Sequence, residues 1–249
     1  MKRFEKKKIK TVNGTFEYSL SVKNSPAIIL INGGSGPIEG WYRVFHELAD
    51  EFTIMAYNRL GVGGSSKPTH PQDGTAIVTS LKQLLDDVGV SPPYILVGHS
   101  LGGLYANFFA RQFPEQVTGV VLLESSHPQD LAINDTQPAP IRILNRLLSI
   151  FDVFSPSRKW DEVHFVQETA KQIEQARTFP DKPLFVVSGK KKPPFMPEHA
   201  FEIRRKNQLD FLQLSKHSKQ IWASRSGHFP QLTEPDLVIQ AIRECIHAD

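Results

Sequence analysis

Short apolar runs alternate with longer amphipathic stretches along most of this chain. The run at 27–31 is continuous, as expected of a strand buried on both faces, the run at 94–97 reads as a buried strand, and further strands are expected at 52–57, 117–123, 183–188 and 220–224. Helical spacing falls between them, around 41–49, 74–88, 101–113 and 235–247. Ahead of these, 8–12 and 15–22 alternate like a hairpin, with Asn13-Gly14 as the turn signal. Strand and helix in repeated succession predict an α/β fold with a doubly wound, mostly parallel sheet and right-handed crossovers.

The rhythm breaks between 127 and 182. That stretch is too long for a bare loop and carries its own helical patterns. Ile141, Leu144, Leu148 and Phe151 fall on one helix face, and Ile143, Leu147, Ile150 and Phe154 on the adjoining one. Such an arc is too wide for a surface helix with one buried side. A more polar helix is expected over 160–177, ended by Pro180. The division expected is a core domain of 1–126 and 183–249, with 127–182 inserted as a helical cap over the carboxyl end of the sheet. Ligands of open α/β sheets bind at that end. On this reading Leu144, Leu148, Phe151, Phe154 and Trp160 bind substrate. The competing arrangement is a helical hairpin against the side of the sheet.

Composition narrows the class. Of 249 residues, 40% are hydrophobic and 22% charged, which is ordinary for a soluble globular protein. No apolar stretch reaches the roughly 20 residues needed to span a bilayer. The basic start lacks the apolar segment of a secretory leader. Six basic residues against one acid give the first ten residues a charge of +5 within a chain total of +3, so the remainder is near −2. No basic face for nucleic acid is expected, and the early lysines read as guards on an edge strand. Cys245 stands alone, which excludes an intrachain disulfide and suits a reducing, cytoplasmic location. Its neighbours Ile242 and Ile246 suggest a packed thiol. The pattern is silent on oligomeric state.

The candidate chemistry centres on Gly98-His99-Ser100-Leu101-Gly102, set between the run 94–97 and a helical pattern. Strand, Gly-x-Ser-x-Gly and helix make a nucleophile elbow, which lifts a serine hydroxyl above the sheet end. A serine hydroxyl needs a base, and the base needs a carboxylate to fix its tautomer. His228, in Ser226-Gly227-His228-Phe229-Pro230, follows the last strand and suits the order serine, acid, histidine. His46, His164, His199, His217 and His247 fall in helical patterns, His70 in a proline-rich loop, and His127 is the only rival. No acid directly follows the run 183–188. Glu124, at the end of 117–123, is therefore the expected partner, with Glu198 or Asp210 as alternatives. Oxyanion donors are expected from the Leu101 and Gly34 amides, the latter within Asn32-Gly33-Gly34-Ser35-Gly36-Pro37. Neither this loop nor Gly61-Val62-Gly63-Gly64-Ser65-Ser66-Lys67 has the spacing of a phosphate cradle, and no metal-ligand spacing occurs, so neither cofactor nor metal is expected.

Taken together, the loop 32–37, the stretch Tyr57-Asn58-Arg59-Leu60-Gly61-Val62-Gly63-Gly64-Ser65, the elbow and Ser226-Gly227-His228 resemble the α/β-hydrolase superfamily over nearly the whole chain. Three departures stand out. Asn58 occupies a usually acidic position, Asn32-Gly33 replaces the usual His-Gly, and the acid after the penultimate strand is absent. Pancreatic-type lipases and some haloalkane dehalogenases place the acid one strand earlier, where Glu124 stands. The resemblance implies a serine hydrolase acting on small to medium, hydrophobic carboxylic esters. Thioesterase, lactonase, amidase and perhydrolase chemistry share the same machinery, and a slow-turnover ligand receptor or partner-binding module is the alternative from another class.

Overall fold

The computed structural model describes residues 4–130, 160–193 and 196–248. Strands form at Lys7–Thr11 (β1), Gly14–Ser21 (β2), Asn24–Ile31 (β3), Phe52–Asn58 (β4), Tyr94–His99 (β5), Val117–Leu123 (β6), Leu184–Gly189 (β7) and Ser218–Ala223 (β8). Helices form at Tyr42–Leu48 (α1), Gly74–Val88 (α2), Leu101–Gln112 (α3), Val166–Gln175 (α4), Glu198–Asp210 (α5) and Pro235–Ile246 (α6). The eight strands make one sheet in the order β1-β2-β4-β3-β5-β6-β7-β8. β1 and β2 run antiparallel to their neighbours, and every pairing from β4 onward is parallel.

Side chains alternate across the central strands and build two cores. Ile29, Ile31, Leu96, Leu122 and Val186 face the layer that holds α2, α3 and Ile173 of α4. Ile28, Leu30, Val97, Val121 and Val187 face α1 and α6. Strands covered on both sides carry no polar face, which is why they appear in the sequence as unbroken apolar runs. Chain order reverses between β3 and β5, since β4 lies on one side of β3 while β5 and β6 lie on the other. The loops leaving β3 and β5 therefore flank a crevice at the carboxyl end of the sheet, where this architecture places ligands.

Two expectations are corrected. The hairpin turn lies at Val12-Asn13, because Thr11 pairs with Gly14. That register sets Ile9 opposite Phe16, and both pack on the core beside α2; a one-residue slip would turn them to solvent. The Thr11 hydroxyl secures the turn by donating to the Gly14 carbonyl at 3.1 Å. His217 is not helical; it sits in the turn that enters β8.

Part of the segment expected as a cap is described. Its 160–165 portion reaches the carboxyl end of the sheet, where Glu162 accepts a hydrogen bond from the Ser35 amide at 2.9 Å. α4 then runs along the flank, with Thr169 against Gly74 of α2 and Ile173 in the core. Among the described residues, no helix is long and apolar enough to cross a membrane.

Candidate active site

Ser100 occupies the single residue between β5 and α3, with φ 51° and ψ −121°. A non-glycine residue held at positive φ costs on the order of 1–3 kcal/mol, so its surroundings must fix it. Three backbone hydrogen bonds do so. The Ser100 amide donates to the Leu123 carbonyl at 3.0 Å, and the Ser100 carbonyl accepts from Gly103 at 2.9 Å and Ser126 at 3.0 Å. Two glycines clear the space. A β-carbon at Gly98 would lie 2.6 Å from the Gly102 carbonyl oxygen. One at Gly102 would strike the carbonyls of Ile31 and Asn32.

The loop after β3 lies directly over this turn. A β-carbon at Gly33 would sit 3.2 Å from Ser100 Cβ, and one at Gly34 would sit 3.4 Å from Leu101 Cδ2. Arg59, one residue past β4, braces the loop from behind by donating to the carbonyls of Asn32 (2.8 Å) and Gly33 (2.6 Å). In a trans peptide the amide points opposite to the preceding carbonyl, so the Gly34 N–H is turned away from Arg59. The guanidinium is itself buried against Glu162: Nε forms a short contact to Oε2, and Nη2 donates to Oε1 at 2.8 Å. Burial opposes the charge on Arg59, but Glu162 outweighs it and raises the guanidinium above its ordinary range. The loop after β3 is thus braced by a buried ion pair.

Glu124 directly follows β6, also at positive φ (43°). Its Oε1 accepts the Gly189 amide at 2.7 Å. Its Oε2 accepts Arg204 Nε at 3.0 Å and lies 2.9 Å from Nη2. Arg204 Nη2 also donates to the Glu124 carbonyl and to His228 Nδ1, each at 3.1 Å. His228 Nδ1 is 3.7 Å from Glu124 Oε2, beyond hydrogen-bonding distance. Burial opposes ionisation of Glu124. The Arg204 guanidinium and the Gly189 amide, which both donate to it, outweigh it and hold the carboxyl below its usual range.

His228 is carried by the loop between β8 and the helical turn Pro230–Thr233. Its carbonyl accepts His99 Nε2 at 2.7 Å, and the two rings are 4.9 Å apart. A carbonyl only accepts, so the His99 proton is on Nε2. Burial and the nearby His228 lower His99 to a pKa of about 3, so its ring is neutral. No hydrogen bond joins the Ser100 hydroxyl to His228 among the described residues.

The alternatives for base and acid lie elsewhere. His127 Nε2 meets Asp210 Oδ2 at 3.2 Å, so the rival base and one rival acid pair with each other. Glu198 is exposed and bound to Lys192 at 2.5 Å. Trp160 is half-buried, and its carbonyl accepts the Gln72 amide at 3.1 Å. Leu144, Leu148, Phe151 and Phe154 lie outside the described residues. Four residues without an assigned role in the sequence reading frame the site: His99, Arg204, Arg59 and Glu162. Arg59 stood within a quoted motif, whereas Arg204 and Glu162 sit in polar stretches without a motif. Among the described residues, no group of three or more histidine, cysteine, aspartate or glutamate side chains is placed to hold a metal ion.

Comparison with known proteins agrees with the fold. A family model described as alpha/beta hydrolase fold matches residues 26–151. The (lyso)-N-acylphosphatidylethanolamine lipase of Mus musculus is 30% identical over 132 residues, which are 51% of this chain and 37% of the lipase. The chain thus spans little more than a third of that relative's length. An AB hydrolase superfamily protein of Gibberella zeae is 23% identical over 278 residues, covering 89% of this chain and 86% of its own. Among solved structures, Cfl2 from Burkholderia cenocepacia superimposes with a TM-score of 0.74 at 18% identity, over 96% of this chain and 94% of that one.

Proposed function

From the premise that the chain belongs to the α/β-hydrolase fold family, we propose that it is a serine hydrolase that cleaves carboxylic esters through an acyl-enzyme. One observation carries this reading. A serine at positive φ is held between β5 and α3, with an imidazole and a buried carboxylate on neighbouring elements of the same sheet edge. The mouse relative is a (lyso)-N-acylphosphatidylethanolamine lipase, which supports an acyl substrate.

In the proposed reaction the Ser100 oxygen attacks the acyl carbon as His228 Nε2 takes its proton. Glu124 orients the ring and stabilises the imidazolium. The tetrahedral oxyanion lies between the Leu101 amide, at the start of α3, and the Gly34 amide, which the grip of Arg59 on the Gly33 carbonyl turns away from the interior. His228 then protonates the leaving alcohol and activates the water that releases the acid. Closing the Ser100–His228 hydrogen bond belongs to substrate binding, as catalytic contacts tighten in the Michaelis complex. The cap segment 127–182, including Trp160, is assigned to substrate selection, and a small or medium hydrophobic ester is the expected partner.

Turnover of p-nitrophenyl butyrate by the wild type and Ser100→Ala tests the proposal. Loss of the nucleophile should lower kcat by a factor on the order of 10⁴ or more. Equal rates in the two proteins would overturn it.

A further inference from the structure

Among the described residues, Arg204 is the one cation that touches both the carboxylate and the imidazole of this site. A guanidinium has donors only, so the atom it reaches on His228 must accept. Nδ1 therefore carries a lone pair, and in the neutral ring the proton is on Nε2. That is the reverse of what a general base for Ser100 requires, since Nε2 must be free to accept. Glu124 cannot correct the tautomer while Arg204 is in place. Its Oε1 is engaged by Gly189 and its Oε2 by Arg204, and its nearest approach to Nδ1 is 3.7 Å.

We propose that Arg204 is a positioning residue that sets which nitrogen of His228 bears the proton, and that the site becomes active when Arg204 yields Nδ1 to Glu124. The exchange is balanced. One proton leaves Nε2 for water, one arrives at Nδ1 from water, and Nδ1–H then donates to Glu124 Oε2. His99 stays neutral beneath the ring and holds the His228 carbonyl throughout, so the imidazole keeps its seat while its proton changes sides. α5 is built for this contact. Arg204, Asn207 and Gln208, spaced by three and four residues, lie on its inward side with Ala200 and Phe201. Asn207 holds Asp130 at 2.6 Å and Gln208 holds the Ser125 carbonyl at 2.6 Å, so the backbone that bears Arg204 is fixed while its own long side chain can swing.

The catalytic half of this inference rests on the proposed hydrolysis; the tautomer does not. Nitrogen-15 NMR of the histidine rings reads the tautomer directly, and His228→Gln identifies the resonance. At about pH 9, above the ordinary imidazole range, the wild type should show His228 protonated on Nε2. Arg204→Met keeps apolar length without donors and should show it on Nδ1. With a p-nitrophenyl ester, Arg204→Met should raise kcat about fivefold with KM unchanged, the gain expected when one hydrogen bond no longer has to break. A merely structural arginine would leave the tautomer alone and lower kcat. Wild-type His228 already protonated on Nδ1 overturns the inference, as does an Nε2 proton that persists in a folded Arg204→Met. The wild-type spectrum decides even where the variant fails to fold. Absence of ester turnover with the two spectra as expected would instead overturn the hydrolase reading.

Discussion

At the scale of single residues, the site depends on groups whose charge state is set by burial. His99 illustrates this. Its folded-state pKa is about 3, against an ordinary 6.5. The unfolded chain takes up a proton below about 6.5 and the folded one only near 3, so the stabilisation is complete above 6.5 and declines as the pH falls through that interval. Between pH 8 and pH 5 the wild type should lose about 2 kcal/mol by urea unfolding from this group. His99→Gln, which keeps a donor for the His228 carbonyl, should lose less over the same range. Equal losses would mean that the buried ring is not the source. Glu124, depressed below the carboxylate range, acts in a lower window: its contribution is present above about 4.5 and is lost as the pH falls further.

Among elements, the loop after β3 takes its shape from a buried ion pair contributed by distant segments. Removing one partner leaves an unpaired interior charge, and Glu162→Gln should destabilise the fold by about 3–5 kcal/mol. The double variant Arg59→Met/Glu162→Met should be the more stable of the two, because both charges leave together. A double variant weaker than the single one would contradict this account. Activity should fall in both, since the Gly33 carbonyl loses its anchor. The same pair shows what the sequence could disclose. Arg59 is conspicuous inside a glycine-rich loop. Glu162 is one acid in a polar stretch, and its partner lies 103 positions away. Apart from the helical pattern around His199, α5 was hard to read for a related reason. Its inward face mixes Ala200 and Phe201 with Arg204, Asn207 and Gln208, so burial there leaves only a broken apolar stripe. Ser100, His228 and Glu124 could be named as candidates because each follows a strand signal, and strand ends mark the ligand edge of such a sheet.

For the whole molecule, the parallel core was the most legible part. Its strands are covered on both sides and must be continuously apolar, as at Ile28–Ile31 and Val120–Leu123. Antiparallel β1 and β2 lie at the margin, where pattern alone left the hairpin one residue out of register. Cys245 offers a gauge of the core's cohesion. It is 1% exposed beneath β6, and burial raises its thiol to about 12. A thiol reagent should leave native protein unmodified over hours and react fully in denaturant, so its rate reports opening of the sheet–helix layer. Rapid modification under native conditions would show that α6 does not seal that face.

His99 and Leu123 face each other as partners across β5 and β6, and Ser100 and Glu124 are the residues that follow. The gap between them is inherited from a rung of the ladder, with a strand spacing of about 4.8 Å. Most surface segments take no part in setting that distance. Foreign segments could be grafted away from Glu162 and Arg204 to change what is admitted, while the nucleophile and the carboxylate keep their spacing.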